Sequence, residues 1–219
     1  AFQAGAPGEA VKHLTQAARA QPDRTDVLER LSATLESLGL YEDAYTNAQR
    51  IERLCNEDLN NQIRLARLAL AIGRDQDAVD RTAKLITSSG ERKAEVLEIR
   101  GDALMRVRDE NSAIESYRLS IAEPGASVSV YAKLARALSS RATRVDQALK
   151  LLDDMVQRFP DDPAAFMTRG AFHLDQALRN TGERSGRLPT SLERTVQDAD
   201  AALISSDRSL QSLRFAAVV

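Results

Sequence analysis

The chain has 219 residues, 43% of them apolar and 28% charged, a balance that supports a sizeable core and excludes a sequence too polar to fold. Thirty basic against thirty-two acidic residues leave a net charge of −2, so no basic face for phosphate neutralisation is expected and nucleic acid is disfavoured as a partner. The single cysteine, Cys55, excludes an internal disulfide and a multi-cysteine metal site, and no apolar run approaches the roughly 18 residues of a membrane span.

The absence of disulfides fits a reducing cytoplasm without ruling out a periplasmic compartment. Cys55 is expected as a small, partly buried residue near a helix end. The first residues lack the charged, apolar and small-residue order of a signal peptide. Aromatics make up only 4% and tryptophan is absent, which favours helix over sheet.

An alanine recurs at Ala10, Ala44, Ala78, Ala113 and Ala148, in steps of 34, 34, 35 and 35 residues. Such a period marks an array of helical hairpins, each burying its face against its neighbours. Ala10, Leu14 and Ala17, closed by Pro22, read as the second helix of a first unit whose opening helix is nearly missing. In the next unit Leu28, Leu31, Leu35 and Leu38 form an apolar stripe, and Gly39 ends the helix. A second helix follows from Glu42, with Ala44, Ala48, Ile51 and Leu54 inward.

The third unit runs through Leu65, Ala66, Ala69 and Ile72 to Gly73, then through Ala78, Thr82 and Leu85 to Ser88-Ser89-Gly90. The fourth carries Gly101 and Leu104, then Ala113, Tyr117 and Ile121 before Pro124-Gly125. A glycine inside a helix costs roughly 1 kcal/mol against alanine, so Gly101 predicts close helix contact, the role of Ala66 and Ala135 in their units. The fifth has Tyr131, Leu134, Ala135 and Leu138, then Ala148, Leu152 and Met155 up to Phe159-Pro160, with one extra residue in its turn. Asp162-Pro163 is a helix start, followed by Phe166, Gly170 and His173. The partner helix around Ala199 and Ala202 comes late, after a turn-rich insertion at about 180–190, with Thr190 or Ser191 as its cap.

These residues resemble the tetratricopeptide repeat: large, Leu and small residues on a first helix, small and large residues on a second, and a closing proline. The match is degenerate, since Asn56 and Gly90 stand at two closing-proline positions. It implies an all-α, right-handed superhelical solenoid of antiparallel helix hairpins. The expected units are a partial repeat at 1–24, repeats at about 25–58, 59–93, 94–127, 128–162 and 163–209, and a partial repeat at 210–219. Because both ends fall inside hairpins, the chain is expected to be a piece of a larger protein, and its uncapped ends offer faces for self-association.

Little in the sequence points to catalysis. His13 and His173 read as solvated and packed residues, and no HExxH, GxSxG or phosphate loop occurs. Neither Asp153-Asp154, whose members point to different helix faces, nor the helix start Asp161-Asp162 forms an acid/base pair. No catalytic, metal or cofactor residue is assigned.

What remains is the inward face of the first helices, which the resemblance implies as a peptide groove. Its candidate residues are Glu29, Ile63, Arg67, Glu98, Asp102, Arg106 and Arg136, with Asp26, Glu36, Asn60, Glu95, Ser139 and Ser140 beside them. The groove is expected to be acidic in its first half and to favour a basic or mixed-charge peptide. The clamp by which cochaperone repeats hold a chain-terminal carboxylate is missing, because Glu29, Ala33, Ile63, Arg67, Glu98 and Asp102 fill its places. The expected function is therefore a non-catalytic protein-interaction scaffold. The alternative is a substrate-recruiting region of an enzyme whose catalytic domain lies outside these residues.

Overall fold

The computed structural model describes residues 7–179 and 190–205, and among them eleven α-helices alternate with short turns. The chain divides into two units, 1–125 and 126–219, each with its own internal packing. The first holds α1 (Pro7–Ala20), α2 (Thr25–Ser37), α3 (Tyr41–Leu54), α4 (Leu59–Ala71), α5 (Asp75–Leu85), α6 (Lys93–Arg106) and α7 (Glu110–Ala122). The second holds α8 (Val128–Ser139), α9 (Val145–Arg158), α10 (Pro163–Arg179) and α11 (Thr190–Ser205).

Pairing follows chain order. In the first unit α2 packs on α3, α4 on α5 and α6 on α7, while α1–α2, α3–α4 and α5–α6 contacts join successive hairpins. In the second, α8 pairs with α9 and α10 with α11, and α10 also touches both α8 and α9. The expected half-helices at residues 1–4 and 210–217 lie outside the described residues, as does the insertion at 180–189. Thr190 is already the first residue of α11, so the cap position lies outside them too.

The alanine ladder marks where second helices cross first helices. Ala44, Ala78, Ala113 and Ala148 are all 0% exposed, whereas Ala10 on α1 is half-buried. Opposite them the first helices present small residues. Ser32 donates from its hydroxyl to the Ala44 carbonyl at 3.0 Å, tying α2 to α3. At Gly101 a Cβ would stand 2.3 Å from Cε1 of Tyr117, so glycine is required for α6 and α7 to approach.

Three turns in the first unit share one backbone pattern. The amide of Leu40 donates to the Leu35 carbonyl at 2.9 Å, that of Arg74 to Ala69 at 2.8 Å, and that of Asp109 to Leu104 at 2.9 Å. Each closes a helix end by a bond five residues back, which needs a left-handed residue between. Gly39 and Gly73 supply it with φ of 74° and 76°, and Arg108 supplies it with φ of 67°. Starts are set by aspartates: the side chains of Asp58, Asp109 and Asp162 accept the amides of Asn60, Ser112 and Ala164 at 3.0, 3.2 and 2.9 Å.

Two expectations at the end of α3 are corrected. Leu54 is 44% exposed, and Cys55 is exposed as well. Cys55 has left the helix with φ of −144°, as the residue that ends α3.

Candidate functional site

The first helices of the first unit, α2, α4 and α6, carry a chain of alternating charges. The Glu36 carboxylate on α2 lies 3.8 Å from Nε of Arg64 and 3.9 Å from Nη1 of Arg67, both on α4. Arg67 also pairs with Glu95 on α6. Arg92, in the turn before α6, donates to Glu95 from Nε at 2.8 Å and from Nη2 at 2.6 Å, and reaches back to the Asn60 side chain. The acidic first half read from the sequence is thus largely matched within the protein. Arg64 and Arg92, which the inward positions omitted, supply the compensation.

The expected groove residues separate into several kinds. Glu29 is exposed and borders a cleft of about 620 Å³ with Thr25, Asn60, Arg64 and Arg67. Ile63 is a correction: it is 0% exposed and belongs to the core, while Arg64, one residue on, faces the cleft. Asp102 accepts a hydrogen bond from the Tyr117 hydroxyl at 2.8 Å, which turns it toward α7. Arg106 donates to the Leu70 carbonyl at the end of α4 and pairs with Asp75 at 3.3 Å. Glu98 is half-buried on α6 and Asp26 is exposed, paired with Arg24 at 2.5 Å. In the cleft wall Asn61 is 1% exposed; its Nδ2 donates to the Ala48 carbonyl at 2.9 Å, and its Oδ1 has no partner.

The first-helix face of the second unit is different in kind. A cleft of about 500 Å³ lies between α8 and α10, floored by Ala132, Ala135, Leu152, Ala171 and Phe172. Arg136, Asp175 and Arg179 edge it, and Arg179 Nε pairs with Asp175 at 2.8 Å. Arg136 is exposed and has no ion-pair partner among the described residues. Ser139 is buried and its hydroxyl donates to the Arg136 carbonyl at 3.1 Å, so it does not line the cleft. Of the expected residues only Arg136 lies here. One period of 35 residues added to Arg136 and Ser140 lands on Ala171 and Asp175, a signal that was present in the sequence.

Two polar clusters lie away from these faces. Arg81 bonds Glu52 at 2.7 Å and Asp77 at 3.1 Å, and Asp77 accepts from the Tyr45 hydroxyl at 2.5 Å. Burial opposes the charge on Arg81, but its hydrogen bonds to Glu52 and Asp77 outweigh burial and hold the guanidinium charged beyond its ordinary range. Burial, then the bond to Asp77, pushes the Tyr45 phenol up. In the second unit Arg169 grips Asp198 through Nε at 3.1 Å and Nη2 at 2.6 Å, and meets Asp153 at 2.8 Å. The nearby His173 is buried, and burial holds its pKa below the ordinary value. His13 is exposed on α1. Among the described residues no group of three or more His, Cys, Asp or Glu is placed to hold a metal ion, and no helix is long and apolar enough to cross a membrane.

No family model matches the chain, and no curated protein matches it in sequence. Solved structures do. Yeast Tom70 superposes with a TM-score of 0.66 at 16% identity, over 99% of this chain and 44% of that one. A tetratricopeptide repeat protein from Parabacteroides merdae gives 0.64 at 13% identity, over 97% and 77%. YrrB, described as a TPR protein with an unusual peptide-binding site, gives 0.53 at 13% identity, over 93% and 97%. The fold is that of the tetratricopeptide repeat (TPR). At these identities the likeness is one of architecture. In TPR terms α2, α4, α6, α8 and α10 are first helices, and both clefts described above are built on them.

Proposed function

We propose that this TPR chain is a protein-interaction scaffold that binds a peptide or helix of a partner on its first-helix faces. The observation that carries this reading is the cleft between α8 and α10, where alanines replace large side chains and leave an apolar floor open beside charged groups. A peptide-binding site in a neighbour of the same fold is consistent with it. In the first unit the candidate ligand-facing residues are Glu29, Arg67 and Glu98, with Asp102 and Arg106 fixed to neighbouring helices. Because its charges alternate in sign, this face suits a mixed-charge segment better than a uniformly basic one.

The test is affinity capture with the chain, followed by titration of each recovered partner against the parent protein and against a Glu29→Lys, Glu98→Lys variant. Charge reversal at two ligand-facing positions is expected to weaken binding roughly tenfold or more, with unchanged helical circular dichroism. Partners that bind both proteins equally would remove the first-unit assignment.

A further inference from the structure

We infer that the cleft between α8 and α10 takes a large apolar side chain of a partner segment that also carries an acidic side chain, whose carboxylate pairs with Arg136. This rests on the scaffold reading and specifies the chemistry of the ligand. Ala132 and Ala171 keep opposite sides of the cleft low, and Phe172 closes its base, so the space of about 500 Å³ accepts an aliphatic or aromatic group. The edge carries two arginines and one aspartate. Asp175 is matched by Arg179 at 2.8 Å, while Arg136 is exposed with no ion-pair partner among the described residues. The edge therefore has one positive charge in excess. A basic segment would meet that charge uncompensated, and a wholly polar one would bury its polar groups against an apolar floor that offers them no hydrogen bonds. In the first unit the arginines named on the corresponding face are already matched, Arg64, Arg67 and Arg92 by Glu36 or Glu95 and Arg106 by Asp75, so the same argument does not apply there.

The experiment selects random 16-residue peptides displayed on phage against the full chain, then resynthesises the enriched sequences with free and amidated C-termini. The expected result is a large apolar residue with Asp or Glu one helical turn away, bound equally in both terminal forms. Ala171→Leu, which fills the cleft from an exposed helical position, is expected to weaken these peptides at least tenfold. Arg136→Glu should do the same and be rescued when the peptide's Glu is changed to Lys. Circular dichroism and thermal melts of both variants establish that they fold. Enriched peptides that are basic, or whose binding survives Ala171→Leu, overturn the inference. If those peptides are instead weakened by Glu29→Lys, Glu98→Lys, the scaffold reading stands without it. Loss of binding on amidation moves the carboxylate to the chain end and overturns the side-chain assignment. Self-association of the parent chain that Ala171→Leu abolishes assigns the cleft to a second copy and also overturns it. No enrichment at all counts against both readings.

Discussion

Arg108 occupies a backbone conformation that its side chain disfavours. Its φ of 67° matches those of Gly39 and Gly73, and all three close helix ends through the same five-residue-back hydrogen bond. A Cβ in the left-handed region costs roughly 1 kcal/mol or more, whereas glycine adopts it freely. Arg108→Gly is therefore expected to stabilise the protein by about 0.5 kcal/mol in urea denaturation, because the gain in the turn exceeds the added freedom of the unfolded chain. Gly39 and Gly73 were legible as helix ends because glycine announces the conformation. Arg108 was not, since the conformation there is imposed by the hairpin around it. The sequence position of Arg106 was legible in the same partial way. Its place near the inward face follows from the register, but besides Asp75 it bonds the backbone carbonyl of Leu70, which no side-chain pattern encodes.

An ion pair between buried and half-buried groups ties α11 to α10. Asp198 of α11 is 2% exposed and is held by Arg169 of α10, which also reaches Asp153 of α9. Arg169→Met would leave a buried carboxylate without its counter-charge, at a cost of about 3 kcal/mol. Hydrogen exchange should then report faster exchange in 190–205 than in α8. His173 of α10 packs in the same region, facing Asp198, Arg194, Arg169 and Asp153. Its pKa in the folded state is lowered, first by burial, so the unfolded chain binds the proton more readily. Stability is then full above the ordinary histidine value of 6.5 and falls as pH drops through it. Thermal melts from pH 7.5 to 5 should show a widening gap in favour of His173→Leu, which keeps the packing and has no proton to bind. Equal slopes for the two proteins would refute this. That His173 is a packing residue could be read from its place in the repeat. Its charged surroundings could not, because Asp198 follows a long insertion that breaks the register.

Across the chain, the period of 34 or 35 residues carries most of what could be read in advance. It located the helix crossings, and the ladder responds to substitution accordingly. Leucine at Ala44, Ala78, Ala113 or Ala148 has no room and is expected to cost roughly 1–3 kcal/mol at each. Ala10→Leu, at a half-buried position, should change stability by less than about 0.5 kcal/mol in the same melts. The period is a poorer guide to which side chains face a ligand. Successive residues of a helix are rotated by about 100°, so a register error of one position exchanges core for surface. Ile63 and Arg64 are such a pair. The chain of ions from Glu36 through Arg67 and Glu95 to Arg92 bears on selectivity. A ligand bearing only one sign of charge has to displace a counter-ion that is already seated and leave it stranded. A ligand bearing both signs at matching intervals can trade one contact for another as it lands. The protein's own side chains thus act as standing competitors, and they filter partners by the spacing of charge rather than by its sum.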